Sequence, residues 1–255
     1  MKLEQFSREL NIRDLGGYPT RDGRHVIGGL FFRSSGPYLF SEEELNSLKK
    51  LNIRYIIDFR TAKEWDRNPD PEIEGAHYIR HSGVESTGGK EVDFSPAGMM
   101  QMGEDGERQL EKLVYYYRMI SFDNEALRLF FAAVKNGHVP LLFHCHSGKD
   151  RTGAAAILLL ALLNVDEETI IQDYLLSNEY YRETLEREFA ASPIDLETHP
   201  ETRELIQMMH GVSERIGRTV YRGIIERYGT VEEYFRQEYG FSDQDIKEIR
   251  ERYPR

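Results

Sequence analysis

The sequence predicts an α/β fold in which a central, mostly parallel sheet is flanked by helices and followed by a helical C-terminal elaboration. Up to about residue 163, short β-branched and aromatic runs alternate with helical stretches, the pattern of a helix-covered parallel sheet. Beyond Asp166 the strand signals stop and helical patterning runs on to the end. One apolar strand also leads directly into a loop carrying the lone cysteine, and from there into an apolar helix.

In chain order, Asn11-Ile12-Arg13-Asp14-Leu15-Gly16-Gly17 ends in two glycines that permit a tight or left-handed turn. An Asp22-Gly23 hairpin signal precedes a strand predicted over His25–Arg33. Ser41 and Glu44 have capping-box spacing, and Leu45, Leu48 and Leu51 extend a helical stripe to about Lys50. Ile53 to Phe59 reads as a buried strand and Ala76 to His81 as a weaker one. Residues 83–106 mix Gly, Ser and Asp with Met99, Met100 and Met102 without a period and read as a long, partly mobile loop. Helices are expected at about Glu107–Ile120 and Asn124–Lys135, the second closed by Asn136-Gly137. Val139 to His144 is an apolar strand and Ala154 to Leu163 an apolar helix. Further helices are expected at about 166–178, 179–191, 200–210, 213–228, 230–237 and 242–252.

The chain has 255 residues, a length that suits a single domain spanning 1–255 with a helical part from about 166. An apolar fraction of 40% with 9 Pro and 21 Gly argues against disorder. With 44 acidic and 33 basic residues the net charge is −11, so the average field repels nucleic acid and anionic membrane. The longest apolar run, Ala154–Leu163, is far short of the ~20 residues a membrane helix needs. MKLEQFSREL has no secretory apolar segment, so a cytoplasmic protein without membrane insertion is expected. Cys145 is the one cysteine, and no internal disulfide can form.

The stretch Phe143 to Ala154 carries the chemistry. A loop between a strand end and a helix start turns its backbone N–H groups inward at the positive helix end, making an anion site from main chain. Gly148 and Gly153 allow the curvature and close packing. Helix N-termini and nearby cations favour the thiolate form of a cysteine. The dipoles that hold a phosphate would therefore also activate Cys145 as a nucleophile. Arg151, six residues on, offers a planar fork for two phosphoryl oxygens, whereas Lys149 offers a point charge.

His-Cys-x-x-Gly-Lys-Asp-Arg-Thr-Gly over residues 144–153 resembles the phosphate loop of the Cys-x5-Arg protein-tyrosine phosphatase superfamily. Its Lys-Asp pair is similar to the bacterial dual-specificity branch that includes mycobacterial and listerial enzymes. Asn11 to Gly17, Ile57-Asp58-Phe59-Arg60 with Glu64, and Tyr228 to Tyr234 are similar to the same branch. The resemblance implies a phosphatase-like fold and attack of Cys145 on phosphorus to give a phosphocysteine. It also implies that Arg151 and the amides of His146, Ser147, Gly148, Lys149, Asp150 and Arg151 hold the equatorial oxygens, with neither metal nor cofactor.

Thr152 would ease the sulfur's departure or cap the helix start, and His144 would support the loop from below. Many relatives carry a Trp-Pro-Asp loop that this chain lacks, and the resemblance to the branch with an Asp inside the phosphate loop makes Asp150 the first candidate general acid, with Asp14, Asp66, Asp70 and Glu85 as alternatives. Asp58 and Arg60 would orient the loop or reach the substrate, and Arg13 and Asp14 carry the same two readings. Tyr115–Tyr117 with Arg118 read as core packing. Helices between about 179 and 215 stand where relatives carry a lid, with core packing as the other reading.

Phosphorylated proteins or peptides are the expected partners. Lys149 resembles the lysine at the same loop position in phosphoinositide phosphatases, and His146 adds charge below pH ~6.5, so phosphoinositide headgroups join the expected substrates. A phosphate-binding module without turnover and an arsenate or sulfur-transfer enzyme are the rival readings; the second needs a resolving thiol that the chain lacks.

Overall fold

The computed structural model describes residues 3–84 and 106–255; Glu85 and nearly all of the predicted 83–106 loop lie outside them. Five strands form one sheet: β1 (Arg13–Asp14), β2 (Phe31–Ser34), β3 (Tyr55–Asp58), β4 (His77–Arg80) and β5 (Leu141–His144), in the order β1-β2-β5-β3-β4. Only β1 runs antiparallel to its neighbour, with Arg13 opposite Arg33. Central β5 lies parallel to β2 and β3, so His144 sits between Ser34 and Asp58. All four residues of β5 are buried, as expected of a strand covered on both faces.

The helices in the described residues are α1 (Glu42–Lys49), α2 (Ala62–Arg67), α3 (Gly106–Met119), α4 (Glu125–Lys135), α5 (Arg151–Leu162), α6 (Glu167–Tyr180), α7 (Arg182–Ala191), α8 (Pro200–His210), α9 (Glu214–Tyr228), α10 (Val231–Tyr239) and α11 (Asp243–Arg252). None is long and apolar enough to cross a membrane.

The two-residue side-chain period of the strands divides the core. Phe31, Ile57 and Phe143 join the large cluster built with Phe130, Phe131 and α5, while Phe32, Ile56 and Leu142 join Phe6, Phe40 and Leu48 on the other face. Thr152 to Leu162 are all buried, because α5 is wedged between the sheet and α6, α9 and α10. That burial fixes the start of α5, and hence the end of the loop before it. Phe143→Ala would leave a cavity here, at a cost of about 3–5 kcal/mol.

Local signals set the boundaries. Ser41 and Thr61 both close reciprocal capping boxes, with Glu44 and Glu64. The α2 box is an element that the strand-and-helix pattern did not suggest. In the Tyr228–Tyr234 stretch, Gly229 ends α9 at φ +81° and the Thr230 side chain caps α10, so this motif is a helix junction. The predicted strand over His25–Arg33 is shorter than expected. His25 and Val26 make only isolated bridges to Pro19 and Pro254, and Gly29 turns at φ +80°, so sheet pairing begins at Phe31.

Candidate active site

Residues 145–150 form the loop from the C-terminal end of β5 to the first turn of α5. Gly148 adopts φ +65°, and an added Cβ would come within 2.3 Å of the Ser34 carbonyl oxygen, so no other side chain fits here. The outer wall of the loop is pinned through its carbonyls, which leaves its amides to face inward. Asn11 Nδ2 donates to the Ser147 and Gly148 oxygens at 3.2 and 3.1 Å, and Arg33 Nη2 to the Gly148 oxygen at 2.8 Å. Tyr181 Oη adds a 2.7 Å bond to the Ser147 oxygen.

Behind these contacts is a buried ion network. Asp173 on α6 receives Arg13 Nε at 2.9 Å, Arg33 Nη1 at 2.9 Å and Tyr18 Oη at 2.8 Å, and Arg13 Nη1 also donates to Asn11 Oδ1. Burial alone would raise the Asp173 carboxyl, but the two guanidiniums hold it below its ordinary value. Burial, helped by Arg13, lowers Arg33 to about 10, still charged at neutral pH. Of the two readings of Arg13, the structure supports loop bracing. Asp14 receives the amides of Gly16 and Gly29 at 2.9 and 2.7 Å, placing its carboxylate in the turn that carries β1 into β2.

A second buried cluster sits beneath the loop. Arg60 donates to both Asp58 oxygens, to Asp70 Oδ2 at 2.8 Å and to the Asn68 carbonyl at 2.8 Å. His144 Nδ1 lies 3.2 Å from the Cys145 carbonyl and its Nε2 3.2 Å from Asp70 Oδ2. Asp58, Asp70 and His144 converge closely enough to suggest a metal site, but Arg60 already supplies their positive charge. Asp58, Arg60, Asp70 and His144 thus form one buried cluster, which meets the loop where His144 Nδ1 lies against the Cys145 carbonyl.

Above it, the Arg151 guanidinium donates from Nη1 and Nη2 to Glu64 at 2.7 and 2.9 Å, and from Nη1 to the Phe59 carbonyl at 3.3 Å. A guanidinium has five N–H donors, and these bonds use three. The two that remain lie on one edge, at Nε and the second Nη2 hydrogen, and Nε is buried without an acceptor. Burial works to raise the Glu64 carboxyl, yet the Arg151 fork and the Thr61 cap hold it at about 2. Glu64 thus closes its own helix and aims Arg151. The sequence spacing showed only the motif; the first of these duties was readable from Thr61 lying three residues earlier.

Cys145 is 2% exposed, at the base of the loop. Thr152 Oγ1 is buried and has no hydrogen-bond partner among the described residues, so neither of its two expected bonds, to the sulfur or to the helix start, is found there. The Asp150 carboxylate accepts a hydrogen bond from Tyr117 Oη on α3, making Tyr117 more than the core packing it suggested. Tyr38, half-buried over Arg60 with its ring centroid 4.7 Å from the guanidinium carbon, bonds His146 Nδ1 at 2.5 Å. Burial lowers the His146 imidazole, with Arg151 and Arg60 acting the same way, so the positive charge expected of it below pH ~6.5 is delayed to more acid pH.

Lys149 differs most from expectation. Its buried ammonium points away from a phosphate role and donates to the carbonyls of Met208, Met209 and Gly211 at 2.8, 2.9 and 2.9 Å, around the C-terminus of α8. An ammonium has three donors, so all are used. Asp66 lies on exposed α2, and Glu85 falls outside the described residues.

A loop joining a central parallel strand to a buried helix, with a cysteine at its base and an arginine fork on its rim, defines a phosphate-loop α/β protein. In agreement, the family model of the tyrosine phosphatase family matches residues 5–255, and the chain belongs to that family. A putative tyrosine-protein phosphatase of Cupriavidus necator is 34% identical over 176 residues, which cover 68% of this chain and 62% of the relative. The triple specificity protein phosphatase PtpB of Mycobacterium tuberculosis is 25% identical over 276 residues, covering 98% of each chain. The chain thus spans less than two thirds of the first relative and nearly all of the second. The crystal structure of P. aeruginosa TpbA with phosphotyrosine aligns with 62% of this chain and 74% of its own at 13% identity, with a TM-score of 0.35.

Proposed function

We propose that this chain is a phosphatase that hydrolyses phosphate monoesters, phosphotyrosine in proteins above all, through a phosphocysteine on Cys145. The observation that carries the reading is the unused Nε/Nη2 edge of Arg151. A guanidinium held by Glu64 keeps a second two-donor fork, of which Nε has no acceptor, next to a loop whose carbonyls are bonded to Asn11, Arg33 and Tyr181. A dianionic phosphoryl group matches that fork and the loop amides together.

In this reading Cys145 attacks phosphorus in line while Arg151 and the amides of His146 to Arg151 stabilise the charge spread over three oxygens. The Asp150 carboxyl gives its proton to the leaving oxygen, then takes one from the water that cleaves the S–P bond. Membership of the tyrosine phosphatase family, and the full-length match to a triple specificity phosphatase, support this chemistry. Phosphoserine and phosphothreonine are further substrates of this reading, in keeping with the triple specificity named for the second relative. Phosphoinositides lack the support the sequence gave them, because the Lys149 donors are spent on α8.

The chain is read as one catalytic domain over 1–255. A sulfur that works as a free thiol suits a reducing, cytoplasmic compartment. Hydrolysis of p-nitrophenyl phosphate in the presence of a chelator tests the proposal. Wild type is expected to turn over and Cys145→Ser to be inactive. Equal activity in both, or activity only on adding metal, would overturn it.

A further inference from the structure

The surroundings of the Asp150 carboxylate are asymmetric. Tyr117 Oη, from α3, donates to Oδ1. Lys149 Nζ stands 3.8 Å from Oδ2, but its three hydrogens belong to the carbonyls of Met208, Met209 and Gly211. Arg151 and His146 in the loop, and Tyr174 and Tyr181 from α6 and its end, are the other charged or titratable groups whose fields reach this carboxylate. Burial, reinforced by the Asp150 charge, keeps the Tyr117 phenol well above its ordinary value, so it stays a donor at every working pH. Oδ1 is thereby pinned as an acceptor, and Oδ2 is the oxygen left to carry a proton.

We propose that Tyr117 is the positioning residue of the proton donor: by occupying Oδ1 it fixes the plane of the Asp150 carboxyl and assigns the transferable proton to Oδ2. This rests on the reading of Asp150 as general acid. In the first step the Oδ2 proton passes to the ester oxygen as the P–O bond breaks and the S–P bond forms at Cys145. In the second, Oδ2 regains a proton from water as the new O–P bond forms and the thiolate leaves.

The test compares Tyr117→Phe, Asp150→Asn and the double variant on phenyl phosphate and on p-nitrophenyl phosphate, whose better leaving group needs less protonation. Asp150→Asn should lower kcat/KM, which reports the leaving-group step and not the shared cleavage of the S–P bond, about 100-fold or more on phenyl phosphate, the usual worth of a general acid, and barely on p-nitrophenyl phosphate. Tyr117→Phe should show the same selectivity at about tenfold and add nothing in the Asp150→Asn background, because its effect runs through that carboxyl.

A Tyr117→Phe loss that is equal on both substrates, or that persists in full with Asp150→Asn, would reduce Tyr117 to packing and overturn the proposal. If Asp150→Asn lowers kcat/KM equally on both substrates, the assignment of Asp150 fails and takes the proposal with it. The inactivity of Cys145→Ser would still stand as a separate result for the phosphatase reading.

Discussion

Glu64→Gln removes the charge that aims Arg151 while keeping the shape of the side chain. A carboxyl held at about 2 instead of 4.5 reports an interaction whose upper bound is roughly 3 kcal/mol. Glu64 is 31% exposed, so solvent screening reduces this to about 1–2 kcal/mol. If that energy serves to hold the Nε/Nη2 edge in register with the phosphoryl group, kcat/KM for p-nitrophenyl phosphate should fall about 5- to 30-fold. The defect should be flat above about pH 5, because Glu64 is ionised throughout that range.

Stability should follow the same residue with a known sign. The folded-state value lies below the ordinary one, so the ion pair stabilises fully above pH 4.5 and is lost as pH falls towards 2. The gap in Tm between wild type and Glu64→Gln should therefore be widest near neutrality and close below pH 4.5. A Glu64→Gln enzyme with wild-type kcat/KM would refute the claim that Glu64 orients Arg151. A Tm gap that widened in acid would refute the electrostatic origin.

Three further outcomes are expected. Asp173→Asn should destabilise the fold by about 3–5 kcal/mol in denaturant unfolding, since it leaves Arg13 and Arg33 buried without their counter-charge; a loss under about 1 kcal/mol would contradict the network. Gly148→Ala should reduce activity at least about 100-fold in a folded protein, because its Cβ meets the Ser34 backbone and distorts the loop amides; near-normal kcat would contradict this. Lys149→Met should release the last carbonyls of α8, read as faster hydrogen exchange over residues 205–211, and unchanged exchange would show that the ammonium does not hold this helix end.

The apolar runs of β3 and β5, the capping box at Ser41 and the six C-terminal helices were legible because each depends on local composition or spacing, and their ends fall within about three residues of expectation. The loop 144–153 was legible because its chemistry is contiguous in the chain. What pins the loop was not. Arg33 and Asp173 are 140 residues apart and come together only because β2 lies beside β5 and α6 passes behind it. Tyr117 looked like core because it shares the buried face of α3 with Leu110 and Leu113; its bond to Asp150 comes from the meeting of α3 with the loop, which no local spacing shows. Lys149 misled for a related reason: a lysine in a phosphate loop suggests a phosphate contact, and no spacing rule reveals that α8 ends against it.

The central claim is that Cys145 carries the phosphoryl group while the free edge of Arg151 holds it. Acid quenching of a reaction with p-nitrophenyl phosphate, followed by mass mapping of the protein, tests this most directly. The account predicts one added phosphoryl group on Cys145, absent in Cys145→Ser and strongly reduced in Arg151→Lys, which keeps the charge but loses the fork. A phosphoryl group on any other residue, or equal labelling of the Cys145→Ser protein, would contradict it.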